Sequence, residues 1–431
     1  MLHSRSRGSL LISLLVFGSF GTTRATPATP MDSPDWPQLW GPRVTAAVEG
    51  GLQPGPVTLR ELWRRPLGSG FSGVSLDAER AYTGESDGTL DHAVALDVRT
   101  GKTVWKARLG ETYRGHDGSR DGPISTPAVG EGRVFFPGPF GQLVALEAKT
   151  GRELWRVDLG KELQAKMPFY GFGASPTLAG EHVILQVGTA ERSGLAALDA
   201  ASGRLVWSAL PSETKGDSAG YTMAVATDLL GEPQLVAMGH DRVFAVRPQD
   251  GQLLWSHALA ETEEPTRAVL PLDGSHLLVS RFRDSRLLRL AREGAQVKTT
   301  EVWTSPRLKG SYSPNVHRAG LVFGFGGQYL LCLDAATGEP RWRQKVNAGT
   351  LIRIGGHLLV LGEQSGLLRV VEATGDAYRQ TAEAVAFNAG AQSSTGPSFA
   401  DGRVLVRNTE EVVAFALEGP GARAESEKVR Q

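Results

Sequence analysis

The chain has 431 residues and a formal net charge of zero, because 46 Lys and Arg residues balance 46 Asp and Glu residues. This balance, without a basic stripe, excludes the usual electrostatic footprint of a nucleic-acid-binding protein. The single cysteine, Cys332, excludes an intrachain disulfide, and the 53 glycines favour an all-β chain with many tight turns.

Residues 1–25 have the pattern of a secretory signal peptide. Arg5 and Arg7 precede the apolar run Leu10–Phe20, which is too short to span a bilayer comfortably, and Ala25 ends a small-residue cleavage pattern. The alternative is that this segment stays as a short membrane anchor. Export without disulfides predicts a periplasmic or extracellular protein whose mature chain has no transmembrane segment.

Residues 26–59 are rich in proline and glycine and predict an extended segment ahead of the main domain. The segment contains the sequence DWPQLWGP, in which Trp36 and Trp40 are expected to pack on the body of the protein. A ligand-binding role for these two tryptophans is the alternative.

A strand–turn–strand unit recurs throughout residues 60–417, and Ala95–Gly110 (ALDVRTGKTVWKARLG) shows it best. Asp97 can accept hydrogen bonds from backbone N–H groups two residues on and so start a turn. Gly101 supplies the positive φ that a hairpin of this length needs. Trp105 lies four residues after that glycine, where its ring can pack on the adjacent unit.

The unit returns as ALEAKTGRELW, ALDAASGRLVW, AVRPQDGQLLW and CLDAATGEPRW, and a weaker copy ends at Tyr378. The tryptophans expected to dock one unit on the next are Trp63, Trp105, Trp155, Trp207, Trp255, Trp303 and Trp342. With Tyr378 they make eight units, 36–52 residues apart, a period typical of propeller blades. We therefore predict an all-β, eight-bladed β-propeller of four-stranded antiparallel blades.

The two ends of residues 60–417 are each incomplete, which predicts how the ring closes. Leu62–Leu67 is an outer strand with nothing before it, and Arg403–Arg407 and Glu411–Leu417 are strands with no docking tryptophan after them. Pairing the N-terminal strand with the C-terminal strands in one blade removes the free sheet edges. Residues 418–431 are polar and are expected to form a disordered tail.

Individual strands can be predicted within two stretches of the sequence. In the second blade we predict strands at Ile124–Val129, Arg133–Gly138, Gln142–Glu147 and Arg152–Asp158. We interpret the arginine-rich run Leu278–Arg292 as two strands with solvated arginines rather than as a basic amphipathic helix.

Each predicted inner strand begins with a cluster of Gly, Ser, Tyr or Phe residues, and these clusters are expected to surround one mouth of the central channel. The candidate mouth residues are Phe71, Ser72, Arg114, His116, Asp117, Asp121, Ser125, Lys166, Tyr170, Phe172, Tyr221, Tyr312, Gln392 and Ser393. Two interpretations stay open: these residues fill the space where eight strands converge, or they line a ligand funnel.

The loop that joins the first two blades at this mouth is the most polar of these segments. His116, Asp117 and Asp121 are potential metal ligands, but Arg114 and Arg120 would neutralise the carboxylates in an ordinary surface loop. The sequence contains no GxSxG, HExxH or P-loop motif and no arguable nucleophile–base pair. We therefore assign no catalytic residue and no metal ligand.

The repeated units carry a family resemblance. ALDVRTGKTVW, ALDAASGRLVW and CLDAATGEPRW resemble the tryptophan-docking repeats of the quinoprotein dehydrogenase propeller superfamily. DWPQLWGP, GPISTPAVGEGRVFF and GFGASPTLAGEHVILQVG are similar to segments of exported PQQ-binding-like β-propeller repeat proteins. The superfamily also includes the propeller lipoprotein of the outer-membrane β-barrel assembly machinery, a scaffold that binds no quinone. The resemblance covers nearly the whole mature chain and implies eight four-stranded blades.

The resemblance leaves two function classes open. One is an exported, non-catalytic binding or scaffold propeller, expected to be a monomer, with a protein partner or a small-molecule ligand. The other is a PQQ-dependent dehydrogenase-like oxidoreductase acting on a small alcohol or sugar, with the quinone as a cofactor implied by the resemblance alone. Quinoprotein dehydrogenases carry an adjacent cysteine pair, a calcium site and a catalytic aspartate, and no segment of this chain matches that site. The chain also lacks the lipobox cysteine of the assembly lipoprotein.

Overall fold

The structure is a computed structural model that describes residues 35–50, 52–53, 55–115, 122–213, 219–260, 263, 265–393 and 395–419. The predicted signal peptide and the polar residues after Gly419 lie outside these ranges. So do three candidate mouth residues, His116, Asp117 and Asp121.

Eight four-stranded antiparallel blades form a ring, which confirms the predicted eight-bladed β-propeller. Blade 1 contains β3 (Ser75–Leu76), β4 (Arg80–Ser86), β5 (Leu90–Asp97) and β6 (Thr103–Glu111), and blade 2 contains β7 (Ala128–Gly130), β8 (Arg133–Pro137), β9 (Gln142–Glu147) and β10 (Glu153–Asp158). Blade 3 contains β11 (Thr177–Ala179), β12 (His182–Gly188), β13 (Arg192–Asp199) and β14 (Leu205–Glu213), and blade 4 contains β15 (Val225–Leu229), β16 (Glu232–Met238), β17 (Arg242–Val246) and β18 (Leu253–Ala258). Blade 5 contains β19 (Leu270–Pro271), β20 (His276–Ser280), β21 (Ser285–Glu293) and β22 (Gln296–Ser305). Blade 6 contains β23 (Val316–Arg318), β24 (Leu321–Gly326), β25 (Tyr329–Asp334) and β26 (Pro340–Lys345). Blade 7 contains β27 (Gly349–Ile354), β28 (His357–Gly362), β29 (Leu367–Glu372) and β30 (Gln380–Val385).

Blade 8 combines both ends of the described chain. Its strands are β31 (Ser398–Ala400), β32 (Arg403–Arg407), β33 (Glu411–Glu418) and, as the outer strand, β2 (Thr58–Pro66). β2 pairs antiparallel with β33 from Thr58 opposite Glu418 to Pro66 opposite Glu411. The predicted closure of the ring is thereby confirmed.

The strand boundaries differ from the prediction where the chain approaches the channel. The inner strand of blade 2 begins at Ala128, not at Ile124, because the preceding backbone bonds to the next blade: Thr126 N–H donates to Ser175 Oγ at 2.9 Å. In the arginine-rich run, β20 ends at Ser280, and the residues after it form a turn in which Arg281 N–H donates to Asp284 O at 2.8 Å. A short helix, α1 (Leu159–Leu163), follows β10 and was not predicted. Its cap is Asp158, whose carboxylate accepts from Lys161 N–H at 3.2 Å.

The hydrophobic core fills the spaces between blades. The middle strands are apolar on both faces because each blade lies between two others. In β9, for example, Leu143, Val144, Ala145 and Leu146 are all buried. This packing makes a rigid ring that carries the connecting loops.

The turn of the recurring unit has the expected geometry. Asp97 Oδ1 accepts hydrogen bonds from Arg99 N–H at 3.1 Å and Thr100 N–H at 2.8 Å, and Gly101 has φ +70°. Both local predictions for this turn are confirmed.

The tryptophans of the unit contact the following blade. Trp105 Nε1–H donates to Ala148 O of blade 2 at 2.9 Å. Bonds of the same kind link Trp63 to Val98, Trp155 to Ala200, Trp207 to Pro248, Trp303 to Ala335 and Trp342 to Thr374. Trp255 instead donates to Gln234 Oε1 in its own blade at 2.7 Å. The reason is that blade 5 connects β21 to β22 by a short turn at Gly294 and lacks the Asp-containing turn.

The residues before β2 close one end of the channel. Trp36 and Trp40 are 1% and 8% exposed, and β1 (Ala47–Val48) pairs in parallel with β27, the inner strand of blade 7. Trp36 bonds to Leu76, the last residue of inner strand β3. Because β3 runs away from the loops that connect blades, this closed end is opposite those loops.

Candidate binding face at the channel mouth

The connections of an antiparallel propeller divide between its two faces. Hairpins between the first and second and between the third and fourth strands lie on one face, together with the N-terminal segment. The connections between the second and third strands, and those from one blade to the next, lie on the other face. We call this second face the mouth face, and the candidate mouth residues precede the inner strands on it.

A contiguous set of aromatic side chains covers the mouth face over blades 2 and 3. The ring of Tyr113 lies 5.8 Å from that of Phe140, and Tyr113 Oη donates to Phe169 O at 3.4 Å. Phe169 lies edge-on to Tyr170 at 4.8 Å, and Tyr170 lies 6.0 Å from Tyr221. With Met167, these residues form what we call the aromatic patch.

The aromatic patch is exposed to solvent to an unusual degree. Phe140, Met167, Phe169 and Tyr170 are 43%, 47%, 56% and 46% exposed. Several large apolar side chains exposed side by side mark interaction sites in soluble proteins.

The loop that carries the patch is fixed by backbone hydrogen bonds. Lys166 N–H donates to Gly188 O at 2.8 Å, and Phe172 N–H donates to Pro139 O at 2.9 Å. Gly171 has φ +81°, and a Cβ there would lie 2.9 Å from Pro139 O, so the close approach of the two loops requires glycine. The aromatic side chains are therefore presented by an ordered backbone.

A second exposed pair lies over blades 5 and 6. Tyr312 is 67% exposed, and its ring lies 5.7 Å from that of Phe282. Gly310 N–H donates to Phe282 O at 2.7 Å and holds the two loops together. This pair belongs to the same face but is separate from the aromatic patch.

The hydroxyl groups predicted at the mouth point into the protein. Ser72 Oγ accepts from Gly84 N–H at 3.0 Å, and Ser125 Oγ donates to Phe172 O at 3.0 Å. Ser393 Oγ donates to Arg407 O at 2.7 Å. All three serines are buried, and their hydrogen bonds connect strands and loops of the ring.

A shallow depression that encloses essentially no volume lies at the mouth between blades 8 and 1. Its lining includes Phe71, Gln392, Thr395, Arg407 and Asn408. The Arg407 guanidinium donates to four oxygens, those of Thr83 Oγ1 and of the Gly70, Gly84 and Asn408 carbonyls, at 2.7–3.1 Å. Burial lowers the pKa of Arg407 to about 10, so it stays cationic at neutral pH.

These residues do not fit pyrroloquinoline quinone, the cofactor that the resemblance implies. The depression encloses essentially no volume, whereas sites for ligands of that class typically enclose roughly 300–1,000 Å³. Its one charged lining residue, Arg407, already binds protein oxygens through all three nitrogens. Across the described ranges, no group of three or more His, Cys, Asp or Glu side chains is placed to hold a metal ion.

The remaining candidates are distributed around the face. Arg114 is exposed and donates to Gly88 O at 2.6 Å, and Lys166 is exposed beside the aromatic patch. Phe172 is buried against Gly141. The structure thus brings together Tyr170 with Tyr221, Phe71 with Gln392, and Ser125 with Phe172, while Tyr312 lies apart from these sets.

Sequence reasoning missed several exposed apolar residues of the mouth face. Met167 and Phe169 lie in the segment KMPFYGFG, in which the sequence-based candidates are Lys166, Tyr170 and Phe172. Phe140 lies in a turn between two strands, and Phe282 was assigned to a strand. The available signal was a large apolar residue inside a Pro- or Gly-containing loop.

Burial also affects the ionisation of the patch. The pKa of Tyr113 is raised, chiefly by burial and secondly by the nearby Tyr170. The phenol therefore stays protonated at physiological pH and can keep its bond to Phe169 O.

The described part of the chain holds no helix with the length and apolar character needed to cross a membrane.

Comparison with known proteins gives a family and a fold. The family model described as outer membrane protein assembly factor BamB matches residues 91–324 and 283–427. The BamB of Xanthomonas campestris pv. campestris is 28% identical over 199 residues, which are 43% of this chain and 47% of that protein. The matched segment thus spans about half the length of this curated relative.

Solved structures agree on the architecture. BamB from Moraxella catarrhalis has a TM-score of 0.60 at 15% identity, over 83% of this chain and 97% of that chain. The quinohemoprotein alcohol dehydrogenase from Comamonas testosteroni has a TM-score of 0.63 at 14% identity, over 90% of this chain and 81% of that chain. At such identities the likeness shows the propeller fold alone.

Proposed function

This chain belongs to the family of the outer membrane protein assembly factor BamB, and on that premise we propose that it is an exported, non-catalytic propeller that binds a protein partner in the periplasm. The partner we propose is a component of outer membrane protein assembly, the process that gives the Xanthomonas relative its name. The aromatic patch is the observation that carries this proposal.

The chemistry of the aromatic patch suits a protein partner. Aromatic residues and methionine are enriched at protein–protein interfaces, and buried aromatic anchors dominate their binding energy. Because the patch loop is already ordered by the bonds of Lys166 and Phe172, docking on it costs little conformational entropy. We expect the partner to present an apolar segment that covers Phe169 and Tyr170.

Co-purification from cells that export the protein tests this proposal. Phe169→Ser combined with Tyr170→Ser should weaken capture of the partner about 30-fold, the equivalent of about 2 kcal/mol. The matched control is Val104→Ser combined with Leu253→Ser, which removes two side chains, each 46% exposed, from the outer strands. Equal recovery of the partner with both double variants would contradict the proposal.

The second function class is a PQQ-dependent dehydrogenase, for which the depression beside Phe71 and Gln392 would be the entry of a ligand funnel. A titration with pyrroloquinoline quinone and calcium separates the two classes. Our proposal expects no thermal shift, no change in quinone absorbance and no turnover of alcohols or sugars. Saturable binding accompanied by turnover would replace the binding propeller with the enzyme.

A further inference from the structure

Residues 35–50, 52–53 and 55–57 cross the closed end of the channel, and Trp36, Pro37 and Gln38 among them contact three successive blades. Trp36 exchanges two backbone hydrogen bonds with Leu76 of blade 1, at 3.2 and 2.8 Å. Pro37 O accepts from Val129 N–H of blade 2 at 2.7 Å, and Gln38 Oε1 accepts from Leu178 N–H of blade 3 at 2.8 Å. One short segment therefore joins the inner strands of blades 1, 2 and 3.

The same segment continues to blade 7. Ala46 O accepts from Arg353 N–H at 2.8 Å, and Val48 O accepts from Gly355 N–H at 2.8 Å. The Arg353 side chain, which is buried, pairs with Glu49. These contacts place the segment on both sides of blade 8, since blades 7 and 1 flank it in the ring.

Blade 8 is where the ring can open. Its pairing of β2 with β33 is the seam that joins the first and last strands of the propeller. Residue 57 directly precedes β2, and a Cβ on Gly419, which follows β33, would lie 2.7 Å from the Val57 side chain. The segment and the seam are therefore continuous in the chain and in space.

We propose that residues 35–50, 52–53 and 55–57 form a closure strap, which connects blade 7 to blades 1, 2 and 3 and keeps the seam of blade 8 shut. When the seam opens, β2 leaves β33 and must draw the strap away from the channel. Opening of the seam is then coupled to undocking of the strap. The ring is held by two linked closures, the pairing of β2 with β33 at its outer edge and the contacts of the strap with the inner strands at its centre.

The backbone of the strap supports this role. Trp40, Val44 and Ala46 have φ values of 64°, 58° and 52°, a region that side-chain-bearing residues rarely adopt. Val44 is β-branched, so its conformation is the most strained of the three. Such conformations persist only where the surroundings fix them, and here the three residues are buried against the ring. The strap is thus shaped by docking and does not hold this form alone.

Hydrogen exchange of the full chain tests the coupling. Gln38→Ala removes the side-chain acceptor of Leu178 N–H without touching the seam. If the seam opens only with the strap, amides of β2 and β33 should exchange about tenfold faster, the effect of losing one net hydrogen bond. The matched control is Gln186→Ala, which removes a buried amide whose Nε2 donates to Met238 O at 2.9 Å and so links blade 3 to blade 4. It should leave the seam amides unchanged.

Two outcomes would overturn the proposal. In one, Gln38→Ala accelerates exchange only at the inner strands that the strap contacts, with β2 and β33 as in the unmodified protein. In the other, Gln186→Ala accelerates the seam equally, which would indicate a general loss of stability. Trp36→Phe is a second strap variant that keeps an aromatic ring, and it must show the same selective effect on the seam.

Discussion

The indole of Trp105 lies directly on Gly151 of the next blade. A Cβ added to Gly151 would lie 2.7 Å from two indole carbons, and the indole N–H donates to Ala148 O, three residues before the glycine, at 2.9 Å. Gly101 with Trp63, Gly203 with Trp155, Gly251 with Trp207 and Gly338 with Trp303 repeat this contact. The repeated spacing of glycine and tryptophan therefore places each of these indoles on the turn glycine of the following blade.

Gly151→Ala tests that docking contact. Gly151 and Gly132 both have φ +74°, but nothing lies within 4 Å of a Cβ on Gly132. Both alanine variants incur the backbone strain, and only Gly151→Ala also displaces the indole. Urea unfolding should show Gly151→Ala less stable than Gly132→Ala by about 1–3 kcal/mol. Equal losses would show that the tryptophan contact contributes nothing to stability.

Arg407 links blade 8 to blade 1 from a completely buried position. It donates to Thr83 and Gly84 of β4 and to Gly70 O. Arg407→Met leaves buried acceptors without a donor, and we expect a loss of about 3 kcal/mol or more in the free energy of unfolding. Arg403→Met removes a more exposed arginine of the same strand, paired with Asp401, and should cost about 0–1 kcal/mol. Similar losses for both variants, measured by urea unfolding, would contradict this assignment.

Three histidines make the fold sensitive to mild acid. Burial is the main reason that the pKa values of His92, His317 and His357 are lowered from the ordinary value. Below about pH 6.5 the unfolded chain protonates these imidazoles while the folded chain resists protonation. The unfolded state then binds more protons, so stability is complete above that pH and falls as the pH drops.

His357→Gln measures one part of this pH dependence. His357 Nε2 lies 3.1 Å from Gly55 O, and a glutamine amide can donate to the same carbonyl without titrating. The urea midpoint of the unmodified protein should fall between pH 7.5 and pH 5.5, and the variant should lose less. A midpoint that stays constant over this range, or an identical loss in the variant, would exclude His357 as a contributor.

The recurring unit explains why the architecture could be predicted. Asp97, Gly101 and Trp105 each have a local physical reason for their position, and repetition of the three at a blade-length period defines the fold. The odd contact of Trp255 has the same origin, because the turn at Gly294 between the third and fourth strands of the next blade has no aspartate.

Contacts between residues far apart in sequence could not be predicted in this way. Arg407 meets Thr83 across more than 300 residues, and nothing near either residue indicates the pairing. The aromatic patch is assembled from four separate loops, so Phe140 and Phe169 become neighbours only when the ring brings those loops together. The path of the strap to blade 7 likewise depends on the closed ring.

Photo-crosslinking in cells that export the protein tests the binding role most directly. Tyr170 in the aromatic patch and Leu253 on an outer strand are both 46% exposed, so each can be replaced by p-benzoylphenylalanine with equal access to neighbours. We predict that Tyr170→p-benzoylphenylalanine gives one discrete protein adduct, a component of outer membrane protein assembly, and that Leu253→p-benzoylphenylalanine does not. No adduct at position 170, or the same adducts at both positions, would contradict the account.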